Sequence, residues 1–279
     1  MTGAAAAQVD RGFFIPALAV DDHREEMVPF TRGMKKWNVR PRLFETAFDW
    51  ARLARKADAD TILISDNFLP GVNDFDTLGV PDVETSQGEE AGLGLLTTFC
   101  DRLGIQAGLK ILLTQFPLRP EAKAFLGRRN KDKKKEVLVF KKNNPAELEG
   151  LDRVVRNFSR ERRAKFIKLK LDYIRELGDD WGFSELETAK LFSLQDNDDV
   201  VWIAASSGTT SLDFERRCDL IYRVKLNLAA VYGGENPVQE ASWWRTRLAI
   251  LGGRSPLEYV STQGIEQLYS LVSVMEGNH

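Results

Sequence analysis

Histidine and cysteine are both scarce in this sequence. The 279 residues include two histidines, His23 and His279, and two cysteines, Cys100 and Cys218. One internal histidine gives almost no material for a Ser-His-Asp triad or for a histidine-rich metal site. The cysteines lie far apart in apolar segments with a helical pattern, which favours reduced core residues over a disulfide or a metal site. These scarcities argue against an independent enzyme and indicate a cytoplasmic protein.

A strong net charge and a long apolar run are also missing. Lys and Arg number 39 against 41 Asp and Glu, so any attraction to nucleic acid or membrane must come from a local patch. A membrane-spanning helix needs about 18 consecutive apolar residues, and no such run occurs. The first residues, MTGAAAAQVDRG, lack the cationic start and apolar core of a signal peptide. We expect neither export nor contact with a membrane.

What the sequence does contain is a set of apolar runs that end on polar residues. The clearest is DTILISDNFLPG, residues 60–71, which stops at Asp66 before a Pro-Gly turn. Four or five apolar or β-branched residues before a turn are typical of a strand buried on both faces. Asp66 would then lie at the carboxyl end of a strand, where ligands collect in open α/β sheets. Because a single such Asp more often caps the following loop, the interpretation depends on the other strands.

Four other segments are also predicted to be strands. They are Phe13–Val20 before Asp21 and Asp22, Leu43–Ala47, Leu109–Gln115 with Thr114, and EVLVFK ending on Lys141. Helical patterns at Phe48–Lys56 and Glu90–Leu103 separate some of these runs, whereas Arg119–Glu136 is basic and poorly patterned. Strands that alternate with helical segments predict right-handed βαβ units, hence one five-stranded parallel sheet with helices on both sides.

The polar residues at the predicted strand ends would meet at one edge of this sheet. Like charges within a few Å raise one another's pKa, so three carboxylates cannot all ionise there without a cation. Mg²⁺ suits such a site, because it takes carboxylate oxygens and keeps water or phosphate oxygens as its other ligands. A carboxylate nucleophile beside Mg²⁺, a lysine and a hydroxyl is equipped to accept a phosphoryl group. We therefore predict Mg²⁺ at Asp21, Asp22 and Asp66, with Asp66 as the phospho-acceptor and Thr114 and Lys141 as its partners.

Residues 13–158 resemble the receiver domain of two-component response regulators. The matching positions are the acidic pair Asp21 and Asp22, the acceptor Asp66 with Pro70 and Gly71 behind it, the switch hydroxyl Thr114, and the strand-five Lys141 with Pro145 four residues on. The resemblance implies a flavodoxin-like fold, phosphorylation of Asp66, and a histidine kinase or a small phosphodonor as a partner.

The sequence also departs from the receiver pattern. Lys142 stands where the family usually has proline, and Gln115 stands where a small residue normally follows the hydroxyl. Leu138 replaces the aromatic switch residue, and the acidic segment Val72–Glu90 is longer than the usual connection. These departures predict an intact phospho-acceptor site whose output is altered.

A long helical pattern joins the two halves of the chain. From Ala146 to Leu177 only Gly150 interrupts it, so we predict that the last receiver helix continues through a linker at residues 159–180. Its apolar face from Leu148 to Phe158 predicts a homodimer. Its cationic residues either contact phosphates or form a solvated surface, and the sequence leaves both open: Arg160, Arg162, Arg163, Lys165, Lys168 and Lys170.

Residues 181–279 have the pattern of an all-α domain. Ser184 with Glu187 three residues on predicts a capping box, and a helix-turn-helix-like pair would follow through VVWIAA. A long helix is predicted over 211–232, ended by glycines. The tail resembles the toxin-binding domain of MbcA/ParS/Xre-type antitoxins, on these residues: Trp244, Arg245, the turn Gly252–Leu257, Thr262 and Gly264. VVWIAASS lacks side chains that read bases, which argues against direct DNA reading.

The sequence therefore predicts a doubly wound parallel five-stranded sheet at 13–158, a helical linker at 159–180, and an antitoxin-like helical domain at 181–279. The expected function is that of a response-regulator-like protein in which Asp66 controls a helical domain that binds a protein or DNA. No turnover is expected beyond phosphorylation and dephosphorylation of Asp66. Two alternatives stay open: a constitutive antitoxin that neutralises a toxin with the receiver as a scaffold, and a DNA-binding transcription regulator.

Overall fold

The computed structural model describes residues 13–69, 78, 90–191, 212–234 and 236–276. By its contacts the chain divides into two compact units, one over residues 13–162 and one that includes the chain from Arg163 onward. Some predictions fall outside the described residues. They concern Pro70 and Gly71, the acidic segment Val72–Glu90 apart from Leu78 and Glu90, and the VVWIAA segment.

The first unit contains a five-stranded parallel sheet. Its strands are β1 (Ile15–Val20), β2 (Val39–Phe44), β3 (Ile62–Asp66), β4 (Leu109–Thr114) and β5 (Leu138–Lys141). Their spatial order is β2-β1-β3-β4-β5, and every neighbouring pair is parallel. This order confirms the predicted doubly wound, flavodoxin-like sheet.

The second strand begins earlier than the sequence suggested. The prediction placed it at Leu43–Ala47, whereas β2 covers Val39–Phe44, with Val39 buried and Arg40 and Arg42 exposed. β2 lies at the edge of the sheet and exposes every second side chain. An edge strand therefore alternates between apolar and charged residues, and a search for continuous apolar runs misses its first half.

Besides two short 3-10 helices, Lys35–Trp37 and Lys133–Lys135, four helical elements lie between the strands in the described part of the first unit. They are α1 (Arg24–Met34), α2 (Ala47–Ala54), α3 (Ala91–Gly94, a π-helical turn Leu95–Phe99, and Cys100–Arg102), and α4 (Pro120–Arg129). The sequence did not predict α1 or α4. Each buries few residues, only Ala122 and Leu126 in the case of α4, so neither shows a clear apolar period.

Side-chain alternation along the strands builds one core on each face of the sheet. Ile62 and Ile64 of β3 belong to the core that α1 and α5 (Pro145–Asp180) cover, which we call the α1/α5 face. Leu63 points to the opposite core, built by α2, α3 and α4, which we call the α2/α3 face. There the buried Trp50 donates its indole N–H to the carbonyl of Leu18 at 3.0 Å. The same alternation decides where the side chains at the strand ends point.

The helix α5 is continuous over Pro145–Asp180, as the pattern from Ala146 to Leu177 predicted. Its first turns pack on the sheet through Leu151, Val155 and Phe158. The face that predicted a homodimer is therefore largely used inside the chain. Its later turns, which the sequence assigned to a linker, contribute apolar side chains to the core of the second unit: Ile167, Tyr173, Ile174 and Leu177.

The described remainder of the second unit is mainly helical, as predicted. It contains α6 (Glu185–Leu191), α7 (Leu212–Val231), α8 (Pro237–Arg245), α9 (Pro256–Gln263) and α10 (Ile265–Glu276). Trp181, Phe183 and Trp244 stack in its core, with the two indole centroids 5.1 Å apart. The predicted capping box is present at the start of α6, where Glu187 N–H donates to Ser184 Oγ at 3.2 Å. Among the described helices, none has the length and apolarity that crossing a membrane requires.

Two glycine substitutions test how closely α3 approaches β3. An added Cβ on Gly92 would lie 1.8 Å from the carbonyl oxygen of Asp66, so Gly92→Ala should lower the free energy of unfolding. We expect a loss of about 1–3 kcal/mol in urea titrations. Gly127→Ala in α4 is the control, because nothing lies within 4 Å of its added Cβ. This variant should keep the stability of the parent or gain up to about 1 kcal/mol. Equal stability of the two variants would contradict the close approach.

Candidate functional site

Two carboxylates are buried at the carboxyl edge of the sheet. Asp21 follows β1 and is 1% exposed, and Asp66 ends β3 and is 6% exposed. Ala19 and Ile64, each two residues earlier, belong to the α1/α5 face, and alternation directs both carboxylates to that side. Buried carboxylates of this kind require a cationic or hydrogen-bonding partner.

Lys142 is that partner. Its Nζ lies 2.6 Å from Oδ2 of Asp21, 2.9 Å from Oδ1 of Asp66 and 3.1 Å from Oε2 of Glu26 in α1. The side chain of Lys142 is 6% exposed. One ammonium group therefore faces three carboxylates, as many partners as it has N–H donors. The ends of β1, β3 and β5 and the first turn of α1 are held together through it.

Lys141, the lysine predicted for this role, lies elsewhere. Its side chain lines a cavity together with Thr114 and Val139, and its backbone N–H donates to Oε2 of Glu147 at 2.6 Å. Val139 packs in the core of the α2/α3 face, so Lys141 shares that face by alternation. Phe140 packs on the other face. Lys142 lies two residues later, so its side chain points to the same face as Phe140. Counting alternate residues back from Phe140 would have selected Lys142 from the sequence.

Thr114 is buried at the end of β4 but is not joined to Asp66. Its hydroxyl donates to the carbonyl of Phe116 at 2.7 Å and accepts from the Phe116 N–H at 3.2 Å. Alternation puts it with Leu112 on the α2/α3 face. The next residue, Gln115, donates from Nε2 to Oε2 of Glu26 at 2.7 Å. Glu26 and Gln115 are thus two members of the network that the sequence did not indicate, since only the fold brings α1 to the end of β4.

A group that could bind a metal ion lies beside this network. The ligand atoms of Asp21, Asp22 and His23 all lie within 4.8 Å of one another. Oδ1 of Asp21 accepts from the backbone N–H of His23 at 2.8 Å, and Nδ1 of His23 is 3.2 Å from Oδ1 of Asp22. Asp66 was predicted as the third ligand, but the structure joins it to Asp21 through Lys142. His23, which was not predicted as a ligand, takes the third place in the cluster.

Burial and charge shift the pKa values of the network in opposite directions. Burial raises the pKa of Asp66 to about 6, although the charge and hydrogen bond of Lys142 act to lower it. Burial tends to lower the pKa of Lys142, but Asp66 and Asp21 outweigh this and the pKa lies above its usual value. The hydrogen bond from Lys142 lowers the pKa of Glu26. Lys142 is therefore a permanent cation at neutral pH, and Asp66 is poised to titrate.

The donor set fits a small oxygen-binding cation such as Mg²⁺. Three carboxylates, those of Asp21, Glu26 and Asp66, contact one ammonium group. Asp22 adds a fourth carboxylate beside them, so the formal charge of the site is negative. Asp22 is 21% exposed, which leaves an open side where a cation could keep water ligands. Between Asp21 and Asp66, Lys142 supplies the positive charge in this structure. A cation at Asp21 would thus share that carboxylate with Lys142.

In the second unit, the residues of the antitoxin-like pattern support the turn and the core. Gly252 and Gly253 have φ values of 68° and 76°, which favour glycine and reverse the chain. Arg254 donates to Oγ1 of Thr262 at 3.0 Å, so the turn is tied to α9. Ser255 and Glu258 form a capping box at the start of α9. Trp244 is fully buried, and its position in the core is structural.

The cationic residues of α5 do not form one continuous surface. Arg162 pairs with Asp60 at 3.1 Å, and the buried Lys170 pairs with Asp219. Arg160, Lys165 and Lys168 are exposed. Ion pairs within the chain therefore occupy some of the cationic residues for which the sequence left open a contact with phosphates.

Compared with models of known protein families and with curated proteins, the sequence gives no match.

Two lysine substitutions distinguish the neighbouring positions. Lys142→Met removes the ammonium from three carboxylates and should lower the free energy of unfolding by about 3–5 kcal/mol. Lys141→Met is the matched control, and we expect a change within about 0.5 kcal/mol because no buried charge loses its partner. Urea titration at pH 7.5 with EDTA measures both. A larger loss for Lys141→Met would contradict the placement of the two side chains.

The raised pKa of Asp66 predicts how stability depends on pH. The folded-state pKa is about 6 against a usual value of 3.8, so the ionised carboxylate lowers the stability of the folded state as pH rises through this window. Asp66→Asn cannot ionise. It should exceed the parent in stability by about 1–2 kcal/mol at pH 8, and the difference should shrink towards pH 4. The exposed Glu149 provides a control as Glu149→Gln. An advantage of Asp66→Asn that grows towards pH 4 would contradict the assignment.

Proposed function

We propose that this protein is a response-regulator-like signalling protein in which Asp66 accepts a phosphoryl group and the helical unit binds a partner. The observation that carries the proposal is the buried contact of Lys142 with Asp66 and Asp21 at the carboxyl edge of a β2-β1-β3-β4-β5 parallel sheet. A buried carboxylate held beside a permanent cation at this edge suits nucleophilic attack on phosphorus.

The proposed step uses the groups of the network as follows. One carboxylate oxygen of Asp66 forms a bond to phosphorus while the bond from phosphorus to the donor's leaving group breaks, and the leaving group keeps the electron pair. Lys142, 2.9 Å from Oδ1 of Asp66, is placed to donate to the transferred phosphoryl oxygens. Mg²⁺ held by Asp21 and Asp22, with Asp66 as the third predicted ligand, would supply further positive charge at those oxygens.

The route to the helical unit begins at Lys142. This residue lies just before the turn that leads into α5 at Pro145, and its backbone N–H donates to the carbonyl of Thr114 at 2.9 Å. A phosphoryl group on Asp66 would compete with Asp21 and Glu26 for the ammonium group. Any movement of Lys142 therefore acts on the first turn of α5 and on the end of β4. A coupling of about 1–3 kcal/mol would be enough to change the affinity for a partner.

Thr114 is proposed to respond to the phosphoryl group. Its hydroxyl is engaged by Phe116, whose side chain is 65% exposed. Because Thr114 and Asp66 point to different faces of the sheet, the end of β4 would have to move for the hydroxyl to reach a phosphoryl oxygen. The two bonds to Phe116 would then break and the loop after β4 would be released. The large exposed ring of Phe116 would then change the protein surface. Leu138, which replaces the usual aromatic switch residue, cannot take this role.

The partners follow from the two units. A histidine kinase or a small phosphodonor would supply the phosphoryl group, and the helical unit would bind a toxin protein or DNA. A homodimer and a cytoplasmic location remain predictions. Leu151, Val155 and Phe158 pack on the sheet, so a dimer would have to use the continuation of this face toward Leu169, which is exposed.

A constitutive antitoxin with the sheet unit as scaffold is the second candidate. It is favoured by the fact that both oxygens of Asp66 are already engaged: Oδ1 by Lys142, and Oδ2 by the Phe68 N–H at 3.1 Å. In that case the network would serve only stability, and the affinity for a toxin would not depend on Asp66.

Phosphoryl transfer from acetyl phosphate in the presence of Mg²⁺ tests the proposal. Intact-protein mass spectrometry should show the addition of one phosphoryl group to the parent and to the control Glu149→Gln, and none to Asp66→Asn. EDTA should reduce the extent at least tenfold. A parent that gains no phosphoryl group, or an Asp66→Asn variant that gains it equally, would favour the scaffold.

A further inference from the structure

A groove runs between α1 and the edge strand β2. Its volume is about 440 Å³, and its floor is formed by Val28, Thr31, Pro41 and Leu43. Four cationic side chains line it: Arg24, Arg32, Lys35 and Arg42. This concentration of charge is local, because the chain as a whole has a formal net charge of −2.

The cations form a row because of helical spacing. Arg24, Val28 and Arg32 are four residues apart, and Lys35 follows three residues later, so they share one face of α1. Arg42 comes from the opposite wall, on the edge strand β2. Pro41 has no backbone N–H, which makes this edge unsuited to the addition of a further strand. The groove therefore offers side chains to a ligand.

Most of these charges have no carboxylate partner in the described part of the chain, although the Arg42 guanidinium lies 5.9 Å from the centroid of the Phe44 ring. No carboxylate there pairs with Arg32, Lys35 or Arg42, and Arg24 meets only the exposed Glu45 at 3.9 Å. Lys36, which lies next to the groove, is different, because it pairs with Asp152 at 2.8 Å. Unpaired like charges repel one another and raise the local positive potential, which attracts an anion.

We propose that this groove binds the phosphate backbone of a nucleic acid. Arg24 and Lys35 are eleven residues apart, or about 16 Å along the helix. One strand of a duplex carries a phosphate about every 3.4 Å along its axis, so the row matches roughly five phosphates. Guanidinium groups bind phosphate oxygens in a bidentate manner.

The lining also indicates the kind of recognition. The residues that line the groove include no Asn or Gln with which to read adenine, and its cations suit phosphate oxygens, so we expect binding that is independent of sequence. An acidic protein segment is a poorer match, because the half-buried Val28, Pro41 and Leu43 provide no aromatic anchor. The proposal does not depend on phosphorylation of Asp66, and its test uses the untreated protein.

Fluorescence anisotropy with a labelled random-sequence duplex tests the proposal. The logarithm of affinity should fall with the logarithm of salt concentration with a slope between about −3 and −4, for four neutralised phosphates. The double variant Arg32→Gln/Lys35→Gln should reduce that slope by about two and weaken binding at least tenfold. Arg128→Gln/Lys131→Gln removes the same charge from another exposed site and should bind like the parent. Arg42→Gln provides an independent variant from the opposite wall and should reduce the slope by about one.

Three results would overturn the proposal. One is the absence of duplex binding at low salt, and another is an equal loss for the control variant, which would indicate diffuse attraction only. The third is displacement of the duplex by polyglutamate or by inorganic tripolyphosphate as effectively as by unlabelled duplex. Displacement by polyglutamate would indicate that the groove binds an acidic protein segment. Displacement by tripolyphosphate would indicate a small polyphosphate ligand.

Discussion

The contact of one buried ammonium group with three carboxylates is the interaction on which the sheet unit's site depends. Lys142 binds Asp21 and Asp66 from the ends of two central strands, and Glu26 from α1. Removing the ammonium group of Lys142 would leave buried carboxylates without their cation, which costs several kcal/mol. Under the proposed function, a phosphoryl group on Asp66 or a cation on Asp21 would change the balance of partners around Lys142. Stability and signalling would then both depend on this side chain.

The polar side chains at the strand ends lie on different faces of the sheet. Asp21, Asp66 and Lys142 belong to the α1/α5 face, whereas Thr114 and Lys141 belong to the α2/α3 face. The first face leads directly to α5, which continues through residue 180. The second face leads to the loop after β4 and to the cavity beside Lys141. Under the proposed function, a change at Asp66 would act on α5 from the first face and on the loop after β4 from the second.

Sequence reasoning recovers the parts of this structure that local patterns determine. The central strands are continuous apolar runs, so β1, β3 and β4 and the polar residues at their ends could be predicted. β2, α1 and α4 bury fewer residues, and their patterns are correspondingly weak. Lys142 was missed because the resemblance favoured Lys141, although alternation from Phe140 selects the next residue. Glu26 and Gln115 could not be found, since their contact exists only after α1 packs beside β4.

A crystal structure of the protein grown with Mg²⁺ and beryllofluoride, which mimics a phosphoryl group on an aspartate, would show whether Asp66 is the phospho-acceptor. We predict beryllofluoride on Asp66, a metal ion on Asp21 and Asp22, and Lys142 Nζ within hydrogen-bond distance of a fluoride. A structure in which Asp66 carries no adduct, and Lys142 still bridges Asp21 and Asp66 with no metal beside them, would contradict this prediction.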